Sequence, residues 1–391
     1  MGKMFNSAIV EKFVGKETPF YYYDMGLLQQ TLKSCKDASS KYGFHVHFAV
    51  KSNFNKRVLS AIKEIGFGAD CVSGGEVSRA IETGFTNNDI VFAGVGKSDA
   101  EINLALDNDI FCFNVESVHE LEVINELAGK KGKKASVAIR VNPNVDAHTH
   151  HYITTGLDEN KFGVNSWDLP KIVDTLKASE NIKFLGVHFH VGSQITDMNV
   201  FKSLCVKVNE IQQWFEERGV TVKVLNVGGG LGVDYHHPDE HSVADFETYF
   251  KIFNDFLEVK PHQEVHFELG RALVAQSASL ITKVLYLKHG IKKDFVVVDA
   301  GMTELMRPAL YQAYHKIENI SYLDDQTKAT KPYDVVGPIC ESSDCFGKEV
   351  ELVEASRGDL IALRTAGAYG EVMASFYNLR PGIRSVYSDE L

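Results

Sequence analysis

Short apolar, β-prone runs alternate with apolar stripes at helical spacing along most of the chain. The runs are HVHFAV (45–50), FGADC (67–71), IVFA (90–93), IFCFN (110–114), SVAIRV (136–141), FLGVHF (184–189), VKVLNV (222–227) and EVHFEL (264–269). Between them, Leu28, Leu32 and Cys35 form one helical face, and Val58, Ile62 and Ile65 a second. Leu121, Ile124 and Leu127 give another, as do Phe201, Cys205, Ile211 and Phe215. Eight strands separated by helices predict a closed parallel (β/α)8 barrel, with an open doubly wound sheet as the competing arrangement. After Arg271 the rhythm changes. Residues 273–287 and 294–299 read as strands with no helical stripe between them, and 333–337, 350–354 and 360–364 are short and strand-like. The β-prone Tyr21–Tyr23 run is expected to join their sheet. The domain expectation is a barrel over 25–272 and a β-domain from 1–24 with 273–391. The GKKGKK run at 129–134 reads as a solvated turn.

Composition narrows the class. The chain has 391 residues, 44% hydrophobic, with 15 Tyr and 24 Phe to bury and only 9 Pro, which excludes a disordered chain. Asp plus Glu is 52 against 41 Lys plus Arg, a net charge of -11 that argues against a nucleic-acid partner. No apolar run approaches the ~20 residues that a bilayer requires, and none follows Lys3 or Lys12 as in a secretory leader. Six cysteines at irregular spacing form no disulfide framework. The expectation is a cytoplasmic protein with no membrane partner.

In a parallel barrel the C-terminal strand ends converge on one mouth. That rule selects Lys51 and Asp70, Arg140 and Asn142, His188 and His190, Gly228–Gly230, and Glu268 with Arg271. Glycines in NVGGGLG (226–232) suit a backbone nest for a phosphate or a tight turn. GGGLG is not the dinucleotide order GxGxxG. His45 and His47 share one strand face, and so do His188 and His190; His188 reads as part of the barrel wall. His148, His150 and His151 fall in a polar loop. No HExxH motif is present and no histidine spacing alone fixes a metal site, so no metal is assigned. In the β-domain, GPICESSD (337–344) brings Cys340, Glu341 and Asp344 into one loop.

Seven segments together resemble the pyridoxal-phosphate-dependent group IV decarboxylases. They are HFAVKSN (47–53), HFHVGSQ (188–194), NVGGGLG (226–232), FELGR (267–271), MRPALYQAYH (306–315), GPICESSD (337–344) and AGAYG (366–370), in the family's order. The family's Glu-Pro-Gly-Arg appears here as Glu268-Leu269-Gly270-Arg271. The resemblance implies an alanine-racemase-like (β/α)8 TIM barrel with a separate C-terminal β-domain, and pyridoxal 5'-phosphate as cofactor. Within the family the chain is most similar to members that convert meso-2,6-diaminopimelate to L-lysine and carbon dioxide.

By this resemblance Lys51 is the lysine that holds the cofactor covalently, and Asp70 lies near it. Glu268 pairs with the pyridine nitrogen, and His190 stacks on the ring. Gly228, Gly229, Gly230 and Ser193 hold the phosphate, with amides of Gly270 and Arg271. Arg271, Arg307 and Tyr311 bind carboxylate, which the planar guanidinium meets with parallel donors. Glu341 recognises an ammonium group, and Tyr369 lies beside cofactor and substrate. Cys340 is the proton donor, delivered by the second subunit of a homodimer with composite sites. The rivals are a decarboxylase of ornithine, arginine or carboxynorspermidine, and a non-catalytic pyridoxal-phosphate-binding relative.

Overall fold

The computed structural model describes residues 3–145, 161–323 and 327–391 and divides into two units. His148, His150 and His151 lie outside the described residues. One unit comprises 32–232 with 245–271; the other comprises 1–31, 233–244 and 272–391. Among the described residues sixteen strands run in chain order from β1 (Phe20–Tyr23). Eight follow as β2 (His45–Ala49), β3 (Gly68–Cys71), β4 (Ile90–Phe92), β5 (Cys112–Val115), β6 (Ala135–Arg140), β7 (Ile182–His188), β8 (Val224–Asn226) and β9 (Glu264–Leu269). They close into a barrel in sequence order, every neighbouring pair parallel, and β9 returns to β2.

Local chemistry explains the alternation. The helix Asp99–Asp107 begins at a capping box of Ser98 and Glu101, and Gly74–Thr83 begins at Ser73 and stops at left-handed Gly84. Each such cap contributes about 1 kcal/mol. The helix faces expected from spacing are buried at Val58, Ile62, Leu121, Ile124, Phe201 and Cys205. Phe267, fully buried on β9, packs edge-on against Phe250 and Phe253 at 4.9 Å, so truncating it to Ala would cost about 3–5 kcal/mol. Gly186 is forced by close approach, because a Cβ there would sit 1.9 Å from the Val224 carbonyl oxygen.

The second unit holds one eight-stranded sheet. Its further strands are β10 (Ala278–His289), β11 (Asp294–Val298), β12 (Ile317–Asn319), β13 (Thr330–Val336), β14 (Cys345–Val353), β15 (Leu360–Leu363) and β16 (Arg384–Tyr387). Their order is β12-β15-β10-β11-β13-β14, and β1 pairs with β10 and β16, so the Tyr21–Tyr23 run does enter this sheet. The expected strand over 273–287 is corrected at its start. Arg271–Val274 is helical and Ala275–Ser277 is a 3-10 turn, and the strand begins only at Ala278. The apolar run there is buried on all sides, and such a run carries no period that separates helix from strand. Among the described residues no helix is long and apolar enough to cross a membrane.

Candidate active site

Strand ends of the barrel bring a polar constellation to its C-terminal mouth. Lys51 lies in the 3-10 turn Val50–Ser52 that follows β2, and Asp70 lies within β3. Lys51 Nζ is 3.7 Å from Asp70 Oδ2; the lysine side chain is 37% exposed and the carboxylate fully buried. Neither Asp70 carboxylate oxygen has a hydrogen-bond partner among the described residues. Burial, followed by the charge of Glu268, pushes the Asp70 carboxyl well above its ordinary range, with Lys51 opposing.

Glu268, near the end of β9, is held by three other strands. Asn114 from β5 and Asn226 from β8 donate to its Oε1 at 2.9 and 2.7 Å, and His188 from β7 donates from Nε2 to Oε2 at 3.0 Å. Burial opposes ionisation, but the His188 charge and hydrogen bond outweigh it, assisted by Lys51, and keep the carboxyl below its usual range. His188 thus occupies the barrel wall, as expected from its strand position, and from there also supports Glu268. Asn114 and Asn226 are partners that the sequence does not announce. They sit at strand ends, but nothing in their local sequence marks them as partners of a residue on β9.

The glycine loop follows β8. Asn226 accepts from the Gly228 amide at 3.0 Å while donating to Glu268, so one side chain ties the loop to the carboxylate. Gly228 and Gly230 have φ of +70° and +114°, and a Cβ on Gly229 would lie 1.9 Å from the Glu268 carbonyl oxygen. Side chains are thus excluded by backbone contacts as well as by conformation. His190 lies just beyond β7 and is half-buried. Its Nδ1 accepts a long contact from the Gly229 amide at 3.4 Å, which places the ring proton on Nε2. Burial first, then the charges of Lys51 and Arg140, hold its pKa well below the ordinary value and keep the ring neutral. Arg271 is buried and donates to Ser193 Oγ at 3.2 and 3.3 Å. Gly270 abuts Ala49 and Ser52, where a Cβ would meet atoms at 3.1 Å. Leu269, in place of the family's proline, continues β9 beside Phe48 with its side chain buried. Arg140 donates to Glu116 at 2.8 Å behind the mouth.

The remaining candidates belong to the other unit. Arg307 opens the short helix Arg307–Tyr311, with proline in its first turn. It is buried, and its Nη1 donates to Tyr235 Oη at 3.0 Å and to His315 Nε2 at 2.9 Å. His315 in turn donates from Nδ1 to the Arg364 carbonyl at 2.8 Å, which fixes its neutral tautomer. Tyr311 is half-buried. Cys340 and Glu341 are exposed in the loop between β13 and β14. Asp344 anchors that loop from inside: buried, it accepts from the amides of Ile339 at 2.7 Å and Met302 at 2.6 Å. The Cys340 amide donates to Asn378 at 3.0 Å, and Ser343 donates to Glu341 at 2.7 Å. Tyr369 is held at φ +56°, an unfavourable backbone for an aromatic residue and one that functional loops retain.

Comparison with known proteins gives a consistent picture. The family model described as "Pyridoxal-dependent decarboxylase, pyridoxal binding domain" matches residues 28–275. A diaminopimelate decarboxylase of Bacteroides thetaiotaomicron is 57% identical over 383 residues, covering 98% of this chain and 98% of the relative. The diaminopimelate decarboxylase of Aquifex aeolicus is 40% identical over 366 residues, covering 93% of this chain and 85% of the relative. The crystal structure of Helicobacter pylori diaminopimelate decarboxylase complexed with L-lysine superposes with a TM-score of 0.91 at 40% identity, covering 98% of this chain and 94% of that one.

Proposed function

The chain belongs to the pyridoxal-dependent decarboxylase family, and on that premise we propose that it decarboxylates meso-2,6-diaminopimelate to L-lysine. The observation that carries the reading is the barrel mouth, where Lys51 and a buried, ionised Glu268 flank a glycine loop. These residues fit pyridoxal phosphate. Asp70 offers two buried oxygens without hydrogen-bond partners among the described residues, Glu268 offers a fixed negative charge, and the loop leaves no room for side chains. When bound, pyridoxal phosphate supplies an aldehyde that captures amines and a ring that accepts the electrons of the breaking carbon–carbon bond.

The chain's own groups do the rest. Lys51 would hold the cofactor through its amine, which is also the group that the substrate amine would replace. Glu268, kept ionised by His188, Asn114 and Asn226, holds a proton at the ring nitrogen and so favours electron withdrawal. The neutral His190 ring limits tilt of the cofactor plane. Gly228, Gly229, Gly230 and Ser193, with the amides of Gly270 and Arg271, hold the phosphate. Arg271, Arg307 and Tyr311 bind carboxylate, Glu341 receives the distal ammonium, and Tyr369 borders cofactor and substrate. The carboxylate leaves as carbon dioxide, and the Cys340 thiol donates a proton to the carbon that carried it. That cysteine comes from a second copy, so the working protein is a cytoplasmic homodimer with two composite sites. We assign the cofactor to the barrel over 25–272 and the substrate and dimer contacts to 1–24 with 273–391.

A substrate panel tests this reading, with carbon dioxide release and product identity measured in the presence of pyridoxal phosphate. Meso-diaminopimelate should give L-lysine and one equivalent of carbon dioxide, with ornithine and arginine far slower. Faster release from ornithine or arginine would move the chain to the polyamine-precursor branch. Cofactor binding without release would make it a non-catalytic relative.

A further inference from the structure

The opposite end of the same barrel carries a second cluster of ligand-type side chains. His45 opens β2, and Glu264 opens β9 with His266 two residues on; His45 and His266 are paired across the two strands. His266 is buried, whereas His45 and Glu264 are exposed. Because the strands are parallel, this end is remote from the glycine loop and Lys51.

A hydrogen-bonded relay behind the cluster sets its chemistry. His47 Nδ1 lies 3.1 Å from the Asp89 carbonyl oxygen, and His47 Nε2 lies 2.8 Å from His266 Nδ1. A carbonyl only accepts, so His47 Nδ1 carries a proton. In the neutral ring its Nε2 is then an acceptor, and His266 Nδ1 must be the donor. His266 Nε2 faces Glu264 Oε2 at 3.3 Å, where it either carries a proton that pairs with the carboxylate or offers a lone pair beside it. A metal ion in place of that proton would be held by both atoms at once. The relay is firmly seated: His266 is stacked on Phe111 at 5.3 Å with 5° between planes, and Gly68 makes room for His47, since a Cβ there would lie 2.4 Å from His47 Nδ1.

We propose that His45, Glu264 and His266 form a binding site for a divalent transition metal of the zinc class at the N-terminal end of the barrel. Two imidazoles and one carboxylate are a zinc donor set, and tetrahedral bonds of zinc place neighbouring ligand atoms about 3.4 Å apart. The 3.3 Å between His266 and Glu264 already meets that spacing. All three ligand atoms lie within 4.8 Å of one another. Rotation of the exposed His45 ring, now stacked on His266 at 4.7 Å, closes the remaining gap. His47 and Asp89 hold His266 in the coordinating tautomer, as partners behind metal ligands do. Solvent supplies the fourth position. The sequence pattern concealed this site because its ligands come from β2 and β9 and form no local histidine motif.

The test uses untagged holoenzyme and zinc alone, read by equilibrium dialysis, with cobalt as a visible-absorption probe of four-coordinate geometry. The wild type should bind one zinc per chain, and its Tm should rise with zinc. His45→Ala and Glu264→Gln alter exposed side chains and leave the metal-free Tm unchanged. Each should weaken zinc binding by about tenfold or more, abolish the cobalt bands and remove the zinc-dependent Tm rise. Undiminished zinc affinity and stoichiometry in the His45→Ala/Glu264→Gln double variant would overturn the proposal, as would failure of the wild type to retain zinc.

Discussion

The barrel mouth and the Cys340 loop handle polar groups in opposite ways. At the mouth, Glu268 is buried and receives hydrogen bonds from three side chains on three other strands. In the loop, Cys340 and Glu341 are exposed, and the buried bonds go through Asp344 to backbone amides. The first arrangement fixes the charge and orientation of a side chain before any ligand arrives. The second fixes the path of a loop and leaves the Cys340 and Glu341 side chains at its surface. Within one chain, then, the cofactor side is electrostatically complete, while the Cys340 loop leaves its side chains exposed.

Lys51→Ala breaks the cofactor side most severely. It should abolish turnover and covalent retention of pyridoxal phosphate, with near-native circular dichroism, because the side chain is more than a third exposed. Full activity with the cofactor still attached would assign the wrong lysine. Cys340→Ala attacks the other side. Cofactor binding should persist while kcat falls by about 100-fold or more, the range of a lost general acid, with abnormal products detectable by mass spectrometry. An unchanged kcat would remove the thiol from the reaction.

Arg307→Lys is a finer probe. Charge is retained but the planar fork held between Tyr235 and His315 is lost. Efficiency on diaminopimelate should fall by more than about tenfold, which is ~1.4 kcal/mol of transition-state binding. Equal kcat/KM in both proteins would sink the clamp. Asp239→Asn tests scaffolding rather than chemistry. Asp239 accepts from Arg364 at 2.6 and 3.2 Å; burial raises its carboxyl, but the Arg364 hydrogen bond and charge outweigh this and lower it overall. A folded value below the unfolded one means that the stabilisation is complete above about pH 4 and lost as pH falls further. The variant should be less stable by about 2 kcal/mol at neutral pH, and denaturant melts of the two proteins should converge as pH falls below about 4.

Much of this contrast is legible in the amino-acid sequence. Apolar runs such as HFAV and FLGVHF mark the barrel strands, because parallel strands buried on both faces lack a polar alternation. Strand ends then pick out Lys51, His190 and Glu268. What escapes the sequence is pairing between distant strands. Asn114, Asn226 and His188 converge on Glu268 only because barrel closure brings β5 and β7 round to β9, which β8 adjoins. Residues 233–244 are grouped with the β-sheet unit, although they lie between two barrel strands in sequence. Tyr235 and Asp239, which serve Arg307 and Arg364, sit in that stretch and have no local motif to announce them.

The split between a complete cofactor side and a donated thiol is tested most directly by mixing two inactive proteins. Subunits carrying Lys51→Ala and Cys340→Ala, exchanged at equal concentration, should form mixed dimers with one fully wild-type composite site. Carbon dioxide release from meso-diaminopimelate should recover to roughly a quarter of the wild-type rate, since random pairing of two copies makes half the dimers mixed. If subunit exchange is demonstrated and the rate stays at the level of the parent variants, Cys340 does not act across the dimer and the account is contradicted.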